Sequence, residues 1–428
     1  MPSDVSFVRK DFVEPSPPPA REAGAVKWIR ENLFSGWVNS ILTLLSIYFI
    51  YQLVTGAWPW FANGVWNTSN LAECRAALAG ETGACFSVIQ DRWSQMLFGI
   101  SYPSEGYWRP TLAFVLLFVC AAPVLFSKLP RQLLIASALY PFLAYWLIWG
   151  GTIMISIMAL VGFVVGYYVF TSVEKARGFA PGFFAGIIAA LVTWWLGGFV
   201  SSAMVGFIAL PEVASRDMGG FMLNMILGTI CVSLSLPLGI VLALGRQSDM
   251  PIIKGICVIF IEFVRGVPLI TLLFVANVVL AYFFPPGTSL DLILRVIIMI
   301  TMFSAAYIAE VIRGGLAALP RGQYEAADSL GLDYAQATRL IIMPQALKIS
   351  IPGIVNVAVG LFKDTTLVSV ISMFDLVGAI RGPIASSTDW TGIYWEVFGF
   401  AALLFFIICY GISQYSQWLE RQLATDHR

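Results

Sequence analysis

Residues 323–347 read QYEAADSLGLDYAQATRLIIMPQAL, a partly charged, helix-forming stretch between segments apolar enough to cross a bilayer. Pro320 is placed to open a short helix through Leu330. Gly331 suits the left-handed position that stops a helix. Asp333 can cap a second helix, with Gln336 three residues on completing a capping box. That helix is expected to run through Ala335, Thr338, Arg339 and Ile342, with Pro344 marking its bend or end. Tyr324, Ala327 and Leu330 make one apolar strip, and Glu325 and Asp328 sit together on another side. Ala326 and Ala327 are small enough to admit a facing backbone. A helix lying flat on headgroups carries Lys and Arg opposite bulky apolar groups, whereas this one carries acids opposite alanine. The pattern favours a helix–turn–helix shaped to enter the cleft of a soluble partner.

The surrounding chain is a membrane protein. Of its 428 residues, 58% are hydrophobic and 12% charged, about half the charge of a soluble domain, and mean hydropathy is +0.81. Net charge is +0, which gives no sign of nucleic-acid binding. The resulting fold class is an all-α integral membrane protein of about ten transmembrane helices. Candidate spans lie near 37–57, 111–127, 132–149, 152–171, 182–208, 219–245, 267–284, 291–312, 350–372 and 396–418. Pro251 and the RGVP at 265–268 break the chain into a short helix over 252–264 and a span beginning near 267. Residues 1–36, with EPSPPPA at 14–20, read as a disordered cytoplasmic tail. Residues 37–210 read as a transmembrane scaffold with an external loop at about 58–110, and 211–420 hold the informative motifs.

Lys and Arg set the orientation. With the N-terminus inside, the inner segments collect Lys10, Lys27, Lys128, Arg131, Lys175, Arg177, Arg246, Lys254, Arg321 and Arg339 among others. The outer segments keep only Arg75, Arg92, Arg109, Arg216 and Arg381. Both termini and the 320–346 stretch are then cytoplasmic. Cys74 and Cys85 share one external loop and are candidates for a disulfide, although spacing alone leaves them equally readable as free thiols. The single histidine, His427, and the scattered cysteines argue against a metal site.

Glu325-Ala326-Ala327 followed by Gly331, Ile341 or Ile342 and Pro344 resembles the EAA loop of ABC importer permeases. EFVRGVPLI (262–270), AEVIRGGLAALPRGQYEAADSLGL (309–332) and GLFKDTTLVSVIS (360–372) narrow the resemblance to the polar amino-acid permeases. The longer first half is similar to the general L-amino-acid importer subunits of Gram-negative bacteria. This resemblance implies a C-terminal five-helix, MetI-like core over about 211–420 and a place in the bacterial inner membrane. It assigns ATPase coupling to Tyr324, Glu325, Ala326, Ala327, Asp328, Gly331 and Pro344. It also implies an ABC ATPase dimer, a sister permease and a periplasmic amino-acid binding protein as partners. The chain lacks a phosphate-binding G-x-x-x-x-G-K-[ST] loop, and the dipeptide Gly-Lys occurs nowhere in it. It is therefore expected to be no enzyme and to bind no cofactor, with ATP and Mg used by the partner.

A zwitterionic amino acid needs polar groups at membrane depth. Asn277, Asn356, Lys363, Asp364, Thr365 and Thr366 are the candidates. If a helix starts near Ser350, Lys363 lies about 20 Å along it, past the middle of a core about 30 Å thick. Asp364 could then meet the substrate ammonium and Asn356 its carboxylate; alternatively, Lys363 and Asp364 form an internal polar knot. Glu262 with Arg265, and Glu310 with Arg313, have the spacing of intrahelical pairs. A secondary transporter is the rival class, disfavoured because its halves would carry matching broken helices. A channel or structural subunit would need no docking loop.

Overall fold

A segment without water around it must satisfy its backbone internally, so long apolar runs fold as helices. The computed structural model describes residues 24–126, 128–283 and 290–423. Among these, nine helices are long and apolar enough to cross a membrane, or ten if the bent pair Pro251–Gly266 and Leu269–Val279, angled by 103°, is one span. The expected spans lie within a few residues of these helices, with two exceptions taken up below.

The chain forms two compact units, 1–68 with 72–87, and 69–71 with 88–428. In the first, α1 (Gly24–Asn32) is amphipathic, with Lys27 and Glu31 3.9 Å apart one turn on. The tail expected to be structureless thus has a helix in its last third, because Val26 and Ile29 fall on one side of charged neighbours. EPSPPPA and His427 lie outside the described residues. The second helix, α2 (Trp37–Ala62), is apolar all round. Beyond it, Cys74 and Cys85 are joined by a disulfide, Val65 bridges Cys85, and Phe86 nests among Trp60, Phe61 and Trp66.

The second unit contains α3 (Ser87–Phe98) from its second residue on, α4 (Trp108–Leu125), α5 (Leu134–Trp149), α6 (Met154–Arg177) and α7 (Phe179–Ala203). The core helices follow: α8 (Gly220–Gln247), α9 (Pro251–Gly266), α10 (Leu269–Phe274) and α11 (Leu292–Ala317). After them come α12 (Arg321–Ser329), α13 (Tyr334–Ala337), α14 (Met343–Asp364) and α15 (Trp395–Leu423). Helices α6 and α7 pack so closely that a Cβ at Gly186 would sit 2.9 Å from Gly166 O. The core is centred on α8 and α11, with Leu223, Leu227, Ile293, Val296 and Ile300 fully enclosed.

Three expectations differ from the structure. The expected boundary near residue 210 does not separate compact units, since α3–α7 belong to the same unit as 211–420. The reason is a buried staple. Arg109, 3% exposed, donates to Leu147 O at 2.7 Å, Pro211 O at 2.8 Å and Ile148 O at 3.4 Å. A two-residue antiparallel pair, Gly151–Thr152 with Ala209–Leu210, lies beside it. The span expected over 350–372 starts much earlier: Tyr334–Ile371 is one continuous 38-residue path. Pro344 does not end the helix. The π-turn Thr338–Ile342 precedes it, and Met343 N bonds back five residues to Thr338 O. The widened turn absorbs the donor that proline lacks. Likewise the 267–284 span is α10 followed by a π-turn, Val275–Val279, and Leu280–Phe283, with residues 284–289 outside the description.

Arg109→Met is expected to leave the carbonyls of Leu147 and Pro211 without their donor and to lower unfolding stability by about 2–4 kcal/mol. Thermal unfolding of the detergent-purified protein would read this as a lowered midpoint, with Arg109→Lys recovering part of the loss.

Candidate coupling loop and passage

The 320–346 stretch builds a closed loop from local chemistry alone. Pro320 stands just before α12 with extended backbone. At the far end Gly331 has φ +70, Gly331 N bonds Asp328 O at 2.9 Å, and Leu332 N bonds Ala327 O at 3.3 Å. These are the two bonds of a Schellman stop. Asp333 Oδ1 accepts from Gln336 N at 2.7 Å while Asp333 N donates to Gln336 Oε1 at 3.3 Å, so the capping box is complete. Gln345 Nε2 reaches Gln323 Oε1 at 3.0 Å and ties α12 to the head of α14.

The faces differ from the sequence pattern in one respect. Ala327 is fully buried within this chain, because its side packs inward where the Schellman turn folds back, so it offers no surface to a partner. Glu325, Ala326, Asp328 and Gly331 are exposed, as is Pro344 on the following helix. The apolar groups left open are Tyr324, Leu330 (72% exposed), Tyr334 and Leu340. Burial, followed by the neighbouring Tyr334, pushes the Tyr324 hydroxyl above its ordinary pKa. Leu330 stood in the predicted strip; Tyr334 and Leu340 join it only because the turn brings the second helix alongside.

Above the loop sits an ion cluster. Glu310 accepts from Arg313 Nε at 2.8 Å and Arg246 Nη1 at 3.3 Å, with Arg265 Nη1 3.7 Å away. The pair Glu310–Arg313 is the intrahelical one expected, but Glu262 pairs with Arg246 at 2.8 Å rather than with Arg265. Arg265 lies in the last turn of α9 and turns toward α11, where its guanidinium stands 5.4 Å from the centre of the Tyr307 ring. The cluster therefore joins α8, α9 and α11.

Tyr307 also lines a cavity of about 260 Å³, together with Phe303, Ser304, Val357, Gly360, Leu361 and Asp364. Of the passage residues expected from sequence, Asp364 is in its wall. Among the described residues neither Lys363 nor Asp364 is in a salt bridge, although Lys363 acts electrostatically on both Asp364 and Cys409. Asn356 and Lys363 are exposed on the same side of α14. Asn277 lies in the π-turn, where its carbonyl accepts from Arg295 Nη1 at 3.1 Å. Thr365 is buried, donates to Phe362 O at 2.7 Å and accepts from Asn224 Nδ2 at 2.9 Å. Thr366 returns its hydroxyl to Lys363 O at 2.9 Å. Both threonines act on the helix end, where carbonyls lack intrahelical partners. Ser304 and Tyr307 were not singled out from sequence, since a lone hydroxyl in an apolar span looks like core; the only signal was their three-residue spacing.

At the end of the core opposite the loop, Asn224 holds three groups. Its Nδ2 donates to Thr365 Oγ1 and, at 3.1 Å, to Asp375 Oδ2, while its Oδ1 accepts from Leu376 N at 3.1 Å. Asp375, between two spans and fully buried, also takes Gly378 N at 3.0 Å and Val377 N at 3.3 Å. Burial pushes its carboxyl up to about 6, against the lowering effect of these donors. The folded chain thus holds the proton more tightly than the unfolded one. This contribution to stability is present below the ordinary carboxylate range and is lost as pH rises through about 6. Between about pH 5 and about pH 7.5 the thermal midpoint of the wild type should fall relative to that of Asp375→Asn. Parallel pH curves for the two proteins would contradict it.

Residues 235–423 match the family described as binding-protein-dependent transport system inner membrane component. The whole chain is 52% identical to the glutamate/glutamine/aspartate/asparagine transport system permease protein BztC of Rhodobacter capsulatus, over 100% of both chains. It is 37% identical to the inner membrane amino-acid ABC transporter permease protein YhdY of Escherichia coli, over 96% of each. A crystal structure of an amino acid ABC transporter with histidines is 31% identical over 47% of this chain and 92% of that one, at a TM-score of 0.43.

Proposed function

This chain belongs to the amino-acid ABC transporter permeases, and from that premise we propose how its coupling loop and passage divide the work. As a permease it is the multi-span, non-enzymatic component of an ATP-driven importer in the inner membrane, and ATP is hydrolysed by a separate subunit. Membership brings an ATPase and an external binding protein as partners. The finer assembly is two ATPase copies and a sister permease, with both termini and the loop on the cytoplasmic side, as the Lys and Arg bias supports.

The observation that carries the reading is mechanical. The closed loop of α12 and Gly331 is continuous with α13, the π-turn and α14, a path that reaches Asp364 some 30 residues on, about 45 Å at 1.5 Å per residue. A partner gripping Glu325, Ala326, Asp328 and the open apolar group Leu330 would move the cavity wall through one helix. Tyr324, Tyr334 and Leu340 widen that grip. ATP and Mg act in the partner, where they change its grip on this loop.

The cavity between α11 and α14 would hold the amino acid. Asp364 offers a carboxylate to the substrate ammonium, and the hydroxyls of Ser304 and Tyr307 offer hydrogen bonds. This reading assigns Asn277, Asn356 and Lys363 to the same route. The cargo is an L-amino acid, and the name of the Rhodobacter relative favours side chains ending in a carboxylate or an amide. A secondary transporter would have no use for the docking loop.

Gly331→Val places a β-branched residue at φ +70 and opens the loop. Uptake by the assembled importer is expected to fall by about tenfold or more with insertion unchanged, while Gly331→Asn, which tolerates this conformation, keeps most of it. Normal uptake in Gly331→Val would reject the coupling assignment. Asp364→Asn is expected to lower uptake by about tenfold while the ATPase still responds to the binding protein; unchanged uptake would remove Asp364 from the passage.

A further inference from the structure

Helix α3 lies outside every span, yet its contacts run to the end of the permease core opposite the coupling loop. Three backbones converge at its C-terminus. A Cβ at Gly99 would stand 2.7 Å from Gly219 Cα, one at Gly219 2.6 Å from Phe374 O, and one at Gly220 2.6 Å from Met96 O. Gly220 N donates to Phe374 O at 2.8 Å. No side chain fits at this junction, so the start of α8, the end of α3 and the segment after α14 are held at backbone contact. Two turns back along α3 a second junction forms. Asp91 Oδ2 accepts from the indole of Trp390, a fully buried side chain, at 2.8 Å. Arg92 Nη2 reaches Asp389 Oδ2 at 3.0 Å. The segment pinned at both places, 374–390, contains Asp375. Through Asn224 it is joined to Thr365, the residue after Asp364 of the cavity wall.

We propose that α3 is a strut: it fixes the 374–390 segment against α8, moves with it as one body, and so positions the mouth through which the external binding protein delivers substrate to the Asp364 cavity. Asp91 and Gly99 are then positioning residues for import, although neither touches substrate. This gives the first half of the chain a part in the transport cycle that a passive scaffold would not have. The inference rests on the importer reading of the core. The wild-type importer's stimulated turnover checks that reading, and each variant is compared with it, so the two ideas fail separately.

The test uses the complete importer in proteoliposomes with its ATPase and its loaded binding protein. Asp91→Ala strands the buried Trp390 indole. It is expected to cut the stimulation of ATPase by the binding protein about fivefold or more, with basal ATPase within about twofold, and adding Trp390→Phe should recover much of the loss because both partners are then gone. Full stimulation in Asp91→Ala would overturn the proposal. A second measurement does not depend on that variant folding. With Cys120, Cys231, Cys257 and Cys409 replaced by alanine, Arg92→Cys and Asp389→Cys are bridged by a short bifunctional thiosulfonate and compared with the monofunctional reagent. One rigid body predicts that bridged importers keep about half or more of the control uptake, whereas a loss of about tenfold or more would mean the two parts separate during transport and would overturn the strut.

Discussion

A bilayer offers no water to a backbone or side chain that leaves helical pairing, so each departure has to find its partner inside the protein. This constraint explains where the polar contacts of the second unit fall. At the break between α9 and α10 the chain turns by 103°, and the π-turn that follows hands its Asn277 carbonyl to Arg295. Before Pro344 a π-turn re-pairs the chain five residues back. After α14 the chain tightens into a 3-10 helix over Thr365–Ile371 before it turns, and one amide, Asn224, gathers Thr365, Asp375 and Leu376. At Arg109 three carbonyls share a single guanidinium.

These repairs stiffen the protein along a useful line. The coupling loop is closed by its own caps, α14 continues from it without a hinge, and the cavity wall at Asp364 lies on that helix. The ion cluster around Glu310 binds α8, α9 and α11 together near the loop end. The Asn224 contacts do the same at the other end. On the proposed reading, a movement applied at the loop would be carried by helices whose ends are tied, and the cavity between α11 and α14 is where their relative motion would be felt.

Much of this was legible from residue order, because the signals are local. Pro320, Gly331, Asp333 and Gln336 act within four residues of themselves, and the helix–turn–helix follows from them. Span positions follow from runs of apolar residues, which need no partner to be recognised. Pro344 was expected to bend or end its helix; the π-turn Thr338–Ile342 just before it lets the path run on, so only the end is excluded. Ala327 misled because a small residue beside acids looks like open surface until the turn folds over it.

The sequence by itself determined a polytopic helical membrane protein with a capped helix–turn–helix between its spans, since hydrophobic run length and caps are properties of neighbouring residues. Only the tertiary structure decided that Glu262 takes Arg246, that Asp364 faces a cavity with Ser304 and Tyr307, and that α3 and Arg109 hold α3–α5 to the core within the second unit. Those contacts join residues from tens to hundreds of positions apart. In a nearly uniform apolar sequence nothing local distinguishes the helix faces that meet, so packing alone selects the partners.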